Sequence, residues 1–337
     1  MTFLDSLRSL VGGKDLVEDE MVSAMTKIME GEVKDSQLAA FLTALHLKGE
    51  TVPEIVGAAR VMRAKAEKLD INVSPLVDTC GTGGDGTDTF NISTASALVT
   101  AGAGVNVAKH GNRAVSSRSG SADVLKCLGV NLDANNSTVK RCVEDVGICF
   151  LFAPLMHKAM KYAAGVRKEL GFRTIFNLLG PLTNPAGAHS QVIGVFDVKW
   201  VEPLAKVLRG LGCCHAMVVH GSDGLDEITL TGKSQVAELK NGEVLNYSLD
   251  PEELGFSVCG SGDLKGGTPE ENAELILAIL KGEKGPEKDI VVLNSAASIY
   301  VGGKADSLES GALKAKESIE SGRAKKKLEA LCRITNS

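Results

Sequence analysis

Apolar residues in the first 68 positions recur every three to four residues, the spacing of one helical face. Phe3, Leu4, Leu7 and Leu10 open an amphipathic segment, and Val17 to Met29 continue the period. Asp35 fits an N-cap for a helix running through Leu47. Thr51 with Glu54 makes a capping-box pattern, with Pro53 in the first turn. Four short helices cannot each bury an apolar face alone, so they are expected to pack together or against a partner. From about residue 74 the pattern changes. Apolar runs near 76–79, 105–108, 148–152, 191–196 and 216–219 alternate with helical segments, which predicts a mostly parallel sheet covered by helices. Asn241-Gly242 between 234–240 and 243–248 predicts an antiparallel hairpin. Thr268, Pro269 and Glu271 start another capped helix, and helices near 287–301 and 307–321 close the chain.

The fold class expected is therefore α/β. A helical domain covers 1–68 and is joined by helices from about 156–185. A larger α/β domain is built from 74–155 and 186–337. Lys325-Lys326-Lys327 reads as a solvated helix face, and there is no internal repeat or low-complexity tract.

Composition narrows the class of function. The 337 residues are 44% apolar and 23% charged, as in ordinary globular proteins. A net charge of −5 argues against nucleic acid as a partner. Eight cysteines are scattered without a C-x-x-C pair, so no zinc site is expected. The N-terminus does not read as a signal peptide, and no apolar run reaches membrane-spanning length. Reduced thiols in the cytoplasm, with no membrane partner, are the expectation. Cys80 reads as a small buried hydrophobe, since no base stands beside it in the sequence.

Three segments carry candidate chemistry. The first, Gly81-Thr82-Gly83-Gly84-Asp85-Gly86-Thr87-Asp88-Thr89-Phe90-Asn91-Ile92-Ser93-Thr94, follows the apolar Leu76-Val77 and precedes an apolar helix, Ala95 to Thr100. Glycines let backbone approach a ligand, successive N–H groups form an anion-binding concavity, and a helix N-terminus adds positive potential. The pattern G-x-G-x-x-G is present as Gly81, Gly83 and Gly86. A ribose-binding carboxylate about 20 residues on is missing, because no Asp or Glu lies between Asp88 and Asp123. No Lys-Ser or Lys-Thr closes the loop as in a nucleotide-binding P-loop. The second segment, Lys109 to Asp123, follows the strand-like Val105-Asn106-Val107-Ala108. Its Lys109, His110, Arg113 and Arg118 come with glycine, asparagine and four serines, which favours a second anion site over a merely solvated basic loop. In the third segment the buried run Ala216-Met217-Val218-Val219 leads to His220-Gly221-Ser222-Asp223-Gly224-Leu225-Asp226-Glu227. Adjacent carboxylates repel unless a cation sits between them. A polar turn is the plain alternative; two anion cradles beside the pair favour magnesium.

These motifs resemble the anthranilate phosphoribosyltransferases of the tryptophan pathway. The resemblance rests on Gly81 to Asp85, on Asn91-Ile92-Ser93-Thr94, on Lys109 to Arg113 with Ser116-Ser117, and on Asp226-Glu227. It rests further on the segment Phe172 to Pro185 and on the helix carrying Arg167, and it spans about residues 3–330. It implies transfer of phosphoribose from phosphoribosyl pyrophosphate to the amine of anthranilate. It further implies that Gly81, Gly84, Asp85, Thr89, Asn91, Ile92, Ser93, Thr94 and Ser121 line the donor site, with Lys109, His110, Gly111, Asn112, Arg113, Ala114, Val115, Ser116 and Ser117 wrapped around it. Gly81, Asn112 and Arg167 would meet anthranilate, and Ser93, Asp226 and Glu227 would hold one or two magnesium ions per chain. No residue stands out as a necessary strong base. His110 either contacts the acceptor or is structural. A homodimer formed through the helical domain is implied as well, with Leu7 and Leu10 at the interface unless they belong to the domain's own core. Two alternatives remain: a pyrimidine nucleoside phosphorylase of the same fold, which needs no Asp226-Glu227 metal pair, and a noncatalytic nucleic-acid-binding relative.

Overall fold

The computed structural model describes residues 2–71, 73–114 and 118–337. Four helices come first: α1 (Phe3–Val11), α2 (Glu18–Glu30), α3 (Asp35–Lys48) and α4 (Val52–Lys65). Lys34, not Asp35, is the N-cap of α3, and Asp35 is its first helical residue. There its charge still favours the positive end of the helix. Glu54 does reach back to the Thr51 N–H at 2.8 Å. The Thr51 hydroxyl, however, donates to the same carboxylate at 3.0 Å. Glu54 is fully buried, and it also accepts the Leu16 N–H and pairs with Lys48 Nζ at 3.0 Å.

The rest of the chain alternates strand and helix. β1 (Leu76–Gly81), α5 (Ile92–Gly102), β2 (Asn106–Gly111), α6 (Ser121–Cys127), α7 (Asn136–Arg141) and β3 (Ile148–Phe152) are followed by α8 (Ala153–Met156), α9 (Lys161–Leu170) and α10 (Ile175–Leu182). Then come β4 (Ser190–Gly194), α11 (Val201–Gly210), β5 (His215–Gly221), β6 (Ser234–Lys240), β7 (Glu243–Leu249), α12 (Pro269–Leu280), α13 (Pro286–Val301), α14 (Leu308–Glu320) and α15 (Arg323–Thr335). The sheet order is β3-β2-β1-β4-β5-β6-β7. β1 to β5 are parallel, while β6 and β7 form the expected antiparallel hairpin. The last helix, α15, follows the two helices expected near 287–301 and 307–321 and is the helix expected at Lys325-Lys326-Lys327. It carries the three lysines, and Lys327 donates to the Val146 carbonyl, so that face is only partly solvated.

Successive strand residues point to opposite faces of the sheet, and two apolar cores result. Val192, Met217, Val219 and Val236 join α5, α13, α14 and α15 on one side. Ile193, Ala216, Val218 and Ala237 join α11 on the other. This second core is continuous with α1 to α4 and with Ala163, Val166, Ile175 and Phe176 of α9 and α10. The helical layer is thereby fastened to one face of the sheet. No helix among the described residues is long and apolar enough to cross a membrane.

Candidate active site

β1 lies between β2 and β4, so the chain leaves it toward one side, returns, and continues on the other. Open α/β sheets bind ligands outside the carboxyl ends of the strands at such a reversal. Each of the three chemistry-bearing segments leaves a carboxyl end there: the glycine loop after β1, the basic loop after β2, the acidic loop after β5.

Glycines set how closely these loops approach. A Cβ on Gly194 would lie 1.5 Å from the Asp226 carbonyl oxygen, and one on Gly81 would lie 2.2 Å from Asp226 Oδ2. The acidic loop therefore rests directly on the ends of β1 and β4. Asp226 Oδ2 accepts the Gly83 N–H at 2.8 Å, and the Asp226 N–H faces Asp85 Oδ2 at 3.4 Å. Asp85 also takes the Thr87 hydroxyl at 2.6 Å. Thr89 bridges to Lys265, stitching the end of the glycine loop to a neighbouring segment. Arg173, in the α9–α10 connection, donates to the Gly84 carbonyl and lies 4.0 Å over the Phe196 ring.

Helix α5 starts at Ile92, earlier than the sequence suggested, so Ser93 and Thr94 stand in its first turn. Ile92 and Thr94 are buried, and the Thr94 hydroxyl has no hydrogen-bond partner among the described residues. Lys109 Nζ, almost fully buried, donates to Thr79 O at 2.5 Å and to Ser93 Oγ at 3.2 Å. Burial pulls its pKa down, opposed by Cys80, Asp78, Glu227 and Asp226. Burial pushes the Glu227 carboxyl up to about 7; Lys109 and the N–H and hydroxyl of Ser93 pull the other way. The Asp226 carboxyl is pushed up by burial and by repulsion from Asp85 and Glu227. Glu227 thus stands at the α5 N-terminus, where negative charge is favoured.

The basic loop is folded back on α6. Asp123 Oδ2 accepts the Ala114 N–H at 2.9 Å and the Gly120 N–H at 3.1 Å. Asn112 O accepts the Ser121 hydroxyl at 3.3 Å, and a Cβ on Gly111 would meet that same hydroxyl oxygen at 2.2 Å. Asn112 Oδ1 accepts the Arg113 N–H at 2.8 Å, and the Arg113 guanidinium lies 5.6 Å over Phe152. Asn91 ties this loop to α5: its amide donates to Ser119 O at 3.1 Å while its Oδ1 accepts the Ser119 hydroxyl at 3.1 Å. Val115, Ser116 and Ser117 lie outside the described residues.

His110 is buried, and its ring lies 5.1 Å from that of His157. Burial and the second imidazole drive its pKa down to about 3, so the ring is neutral at pH 7. His157 carried no motif of its own in the sequence. Asp78 stands in no motif either, and its one sequence signal is a carboxylate directly after the apolar Leu76-Val77. It is fully buried and accepts the His110 N–H at 3.0 Å, fixing the end of β2. Arg167, on α9, lies 5.2 Å over the Phe176 ring; burial lowers its pKa. None of the described acidic side chains pairs with it. Burial pushes the Cys80 thiol well up, which fits a packing residue rather than a nucleophile.

Among the described residues, no three His, Cys, Asp or Glu side chains converge to hold an ion. The donor set at the acidic loop is instead a carboxylate pair beside a hydroxyl. This suits magnesium, which keeps several waters and takes one or two carboxylates plus substrate phosphate oxygens.

Comparison with known proteins agrees with this arrangement. Residues 73–325 match the glycosyl transferase family, a/b domain, and residues 4–66 match the glycosyl transferase family, helical bundle domain. The chain is 56% identical to the anthranilate phosphoribosyltransferase of Acetivibrio thermocellus, over 98% of this chain and 96% of that one. It superposes on the Thermus thermophilus anthranilate phosphoribosyltransferase with a TM-score of 0.95 at 47% identity, covering 99% of this chain and 100% of that one. The Saccharomyces cerevisiae enzyme in complex with PRPP and Mg gives a TM-score of 0.91 at 28% identity, covering 99% and 98%.

Proposed function

The chain belongs to the anthranilate phosphoribosyltransferase family, and from that premise we infer how its residues divide the reaction. The enzyme transfers the phosphoribosyl group of 5-phosphoribosyl 1-pyrophosphate to the amine of anthranilate, giving N-(5-phosphoribosyl)anthranilate and pyrophosphate, in tryptophan biosynthesis. The observation that carries the assignment of residues is the convergence of a glycine loop, a basic loop and an acidic pair at the β1 reversal.

The donor carries a pyrophosphate and a separate 5-phosphate, so it needs two anion cradles. Gly81, Gly84 and Asp85 line the pyrophosphate side, and the first turn of α5 with Asn91, Ser93 and Thr94 faces the donor. Lys109 neutralises phosphate charge, and the loop from Lys109 through Ser117, with Thr89 and Ser121 beside it, encloses the substrate. Magnesium use is supported by the yeast relative's complex and by the carboxylate–hydroxyl donor set; Asp226, Glu227 and Ser93 are its proposed ligands, for one or two ions. Bound there, the metal supplies charge stabilisation to the departing pyrophosphate. Arg167 pairs with the anthranilate carboxylate through its planar fork, and Asn112 and Gly81 flank the acceptor. Anthranilate's amine is neutral at pH 7 and already nucleophilic, so positioning and leaving-group stabilisation suffice without a covalent intermediate. The neutral His110 can orient the acceptor by hydrogen bonding but carries no proton to give as an imidazolium.

A helical domain of 1–68 joined by helices from 156–185, packed against an α/β domain, is the division proposed, supported by the shared core of α1 to α4, α9 and α10. That core also runs into β4 to β6 and α11, so the two parts share one apolar interior. A homodimer through the helical layer and a cytoplasmic setting complete the proposal; eight unpaired thiols support the latter. The test is loss of anthranilate fluorescence on adding phosphoribosyl pyrophosphate, with and without magnesium. Magnesium-dependent consumption is expected. Phosphorolysis of a pyrimidine nucleoside with no use of the donor would overturn the reading.

A further inference from the structure

The loop carrying Asp226-Glu227 is irregular backbone at the strand ends, tied on its glycine-loop side by the Gly83 N–H to Asp226 Oδ2 at 2.8 Å. The residue that follows the pair shows what anchors the loop on its other side. Ile228 offers its backbone to a side chain of α13, far along the sequence. Asn294 Oδ1 accepts the Ile228 N–H at 2.9 Å, and Asn294 Nδ2 donates to the Ile228 carbonyl at 2.9 Å. The second Nδ2 hydrogen goes to Ile290 O at 2.9 Å, inside α13 itself. Asn294 is 2% exposed and Ile228 is 0% exposed. Both amide donors are used, and turning the amide over would set them against an N–H. A short polar side chain thus imitates a strand partner for one residue of an irregular loop.

We propose that Asn294 is a positioning residue that clamps Ile228 so that Asp226 and Glu227 stand ready for a divalent cation. The inference rests on the reading of that pair as metal ligands. Groups that hold metal ligands in place typically change affinity by about 10- to 100-fold when removed. The clamp acts on the backbone next to Glu227, so its loss is felt in cation binding rather than in the donor cradles.

The experiment titrates Mn2+, followed by electron paramagnetic resonance, into full-length protein with phosphoribosyl pyrophosphate and no anthranilate, so that nothing turns over. Wild type, Asn294→Ala, Ser298→Ala and the Asp226→Asn/Glu227→Gln double variant are compared. Ser298 hydrogen-bonds to Asn294 O one turn along α13 at 3.1 Å and is the control for loosening that helix. Asn294→Ala is expected to bind Mn2+ about 10- to 100-fold more weakly, with Ser298→Ala like wild type. Wild-type affinity in Asn294→Ala, beside loss in the double variant, overturns the clamp and leaves the metal reading standing. Wild-type affinity in the double variant removes the metal reading, and the clamp's purpose with it. Should Asn294→Ala fail to fold, hydrogen exchange of the wild type decides. The Ile228 N–H, anchored by α13, is expected to exchange more slowly than the Leu225 N–H, which is held at 3.2 Å by the loop's own Asp223. Equal rates overturn the proposal.

Discussion

Arg167 is half-buried with its guanidinium against an aromatic face and no described carboxylate beside it. A cation kept from water without an anion is poorly compensated, and a carboxylate substrate completes it. Replacing Arg167 by Ala is expected to raise the KM for anthranilate roughly 10- to 100-fold, from a charge-assisted bond of about 1.5–3 kcal/mol, with the KM for the donor kept. Steady-state kinetics in both substrates checks this, and an unchanged anthranilate KM sinks the assignment. The buried imidazoles make a second prediction, on stability. In the unfolded chain His157 titrates near 6.5, but in the fold burial lowers it to about 4. Above pH 6.5 both states are neutral and stability is at its full value. As pH falls from 6.5 toward 4 the unfolded chain takes up a proton that the folded chain refuses, and stability is lost. Between pH 7 and 5 this amounts to about 2 kcal/mol for the one ring. Urea unfolding at the two pH values should show a smaller drop for His157→Gln than for wild type; equal drops would mean the ring is protonated in the fold. At this scale the sequence could name Lys109, His110 and Arg167 as types. It could not show that His110 faces His157, because that contact needs β2 and the segment after α8 to be placed first.

The elements matter through their ends. Gly81, Gly111, Gly194 and Gly221 each finish a parallel strand, and bare backbone at Gly194 lets Asp226 rest on β4. Gly194→Ala is expected to displace the acidic loop and abolish most turnover while far-UV circular dichroism stays native. Gly165→Ala, on an α9 face with nothing near the added carbon, should stabilise by about 0.5–1 kcal/mol. Wild-type magnesium response in Gly194→Ala would show that the close approach is dispensable. Strand runs, the Asn241-Gly242 turn and the Thr268 cap were legible because each is written in neighbouring residues. The helix face at Lys325 to Lys327 was legible as well, but not the inward turn of Lys327 to the Val146 carbonyl, which no neighbouring residue encodes. Arg173 on Gly84 and Asn294 on Ile228 were illegible for the same reason: a side chain meets a distant backbone atom, and no local pattern encodes that.

At the scale of the whole molecule, two cores on the two faces of one sheet explain why a helical layer with so little depth is stable: it borrows the sheet's second face. The apolar pattern of residues 1–68 announced the faces, but not which of them turns inward. Leu10 is 2% exposed and belongs to the interior, so its replacement by Glu would unfold the layer rather than report on assembly. Besides Val17, the large apolar side chains that residues 1–68 leave outside are Leu4 at 43% exposed, Val11 at 70% and Leu47 at 79%, on α1 and α3, which pack together. A two-fold pair would use one such patch on both subunits, away from the loops at the strand ends, so each chain would keep a complete site. Light scattering of the native protein is expected to give about twice the chain mass of 35.3 kDa. The double substitution Val11→Glu with Leu47→Glu is expected to give the chain mass itself, with unfolding midpoint and turnover per chain little changed, since both side chains are mostly exposed. A native mass of 35.3 kDa independent of concentration would reject the dimer. A dimeric native protein whose double variant stays dimeric would move the interface off this patch.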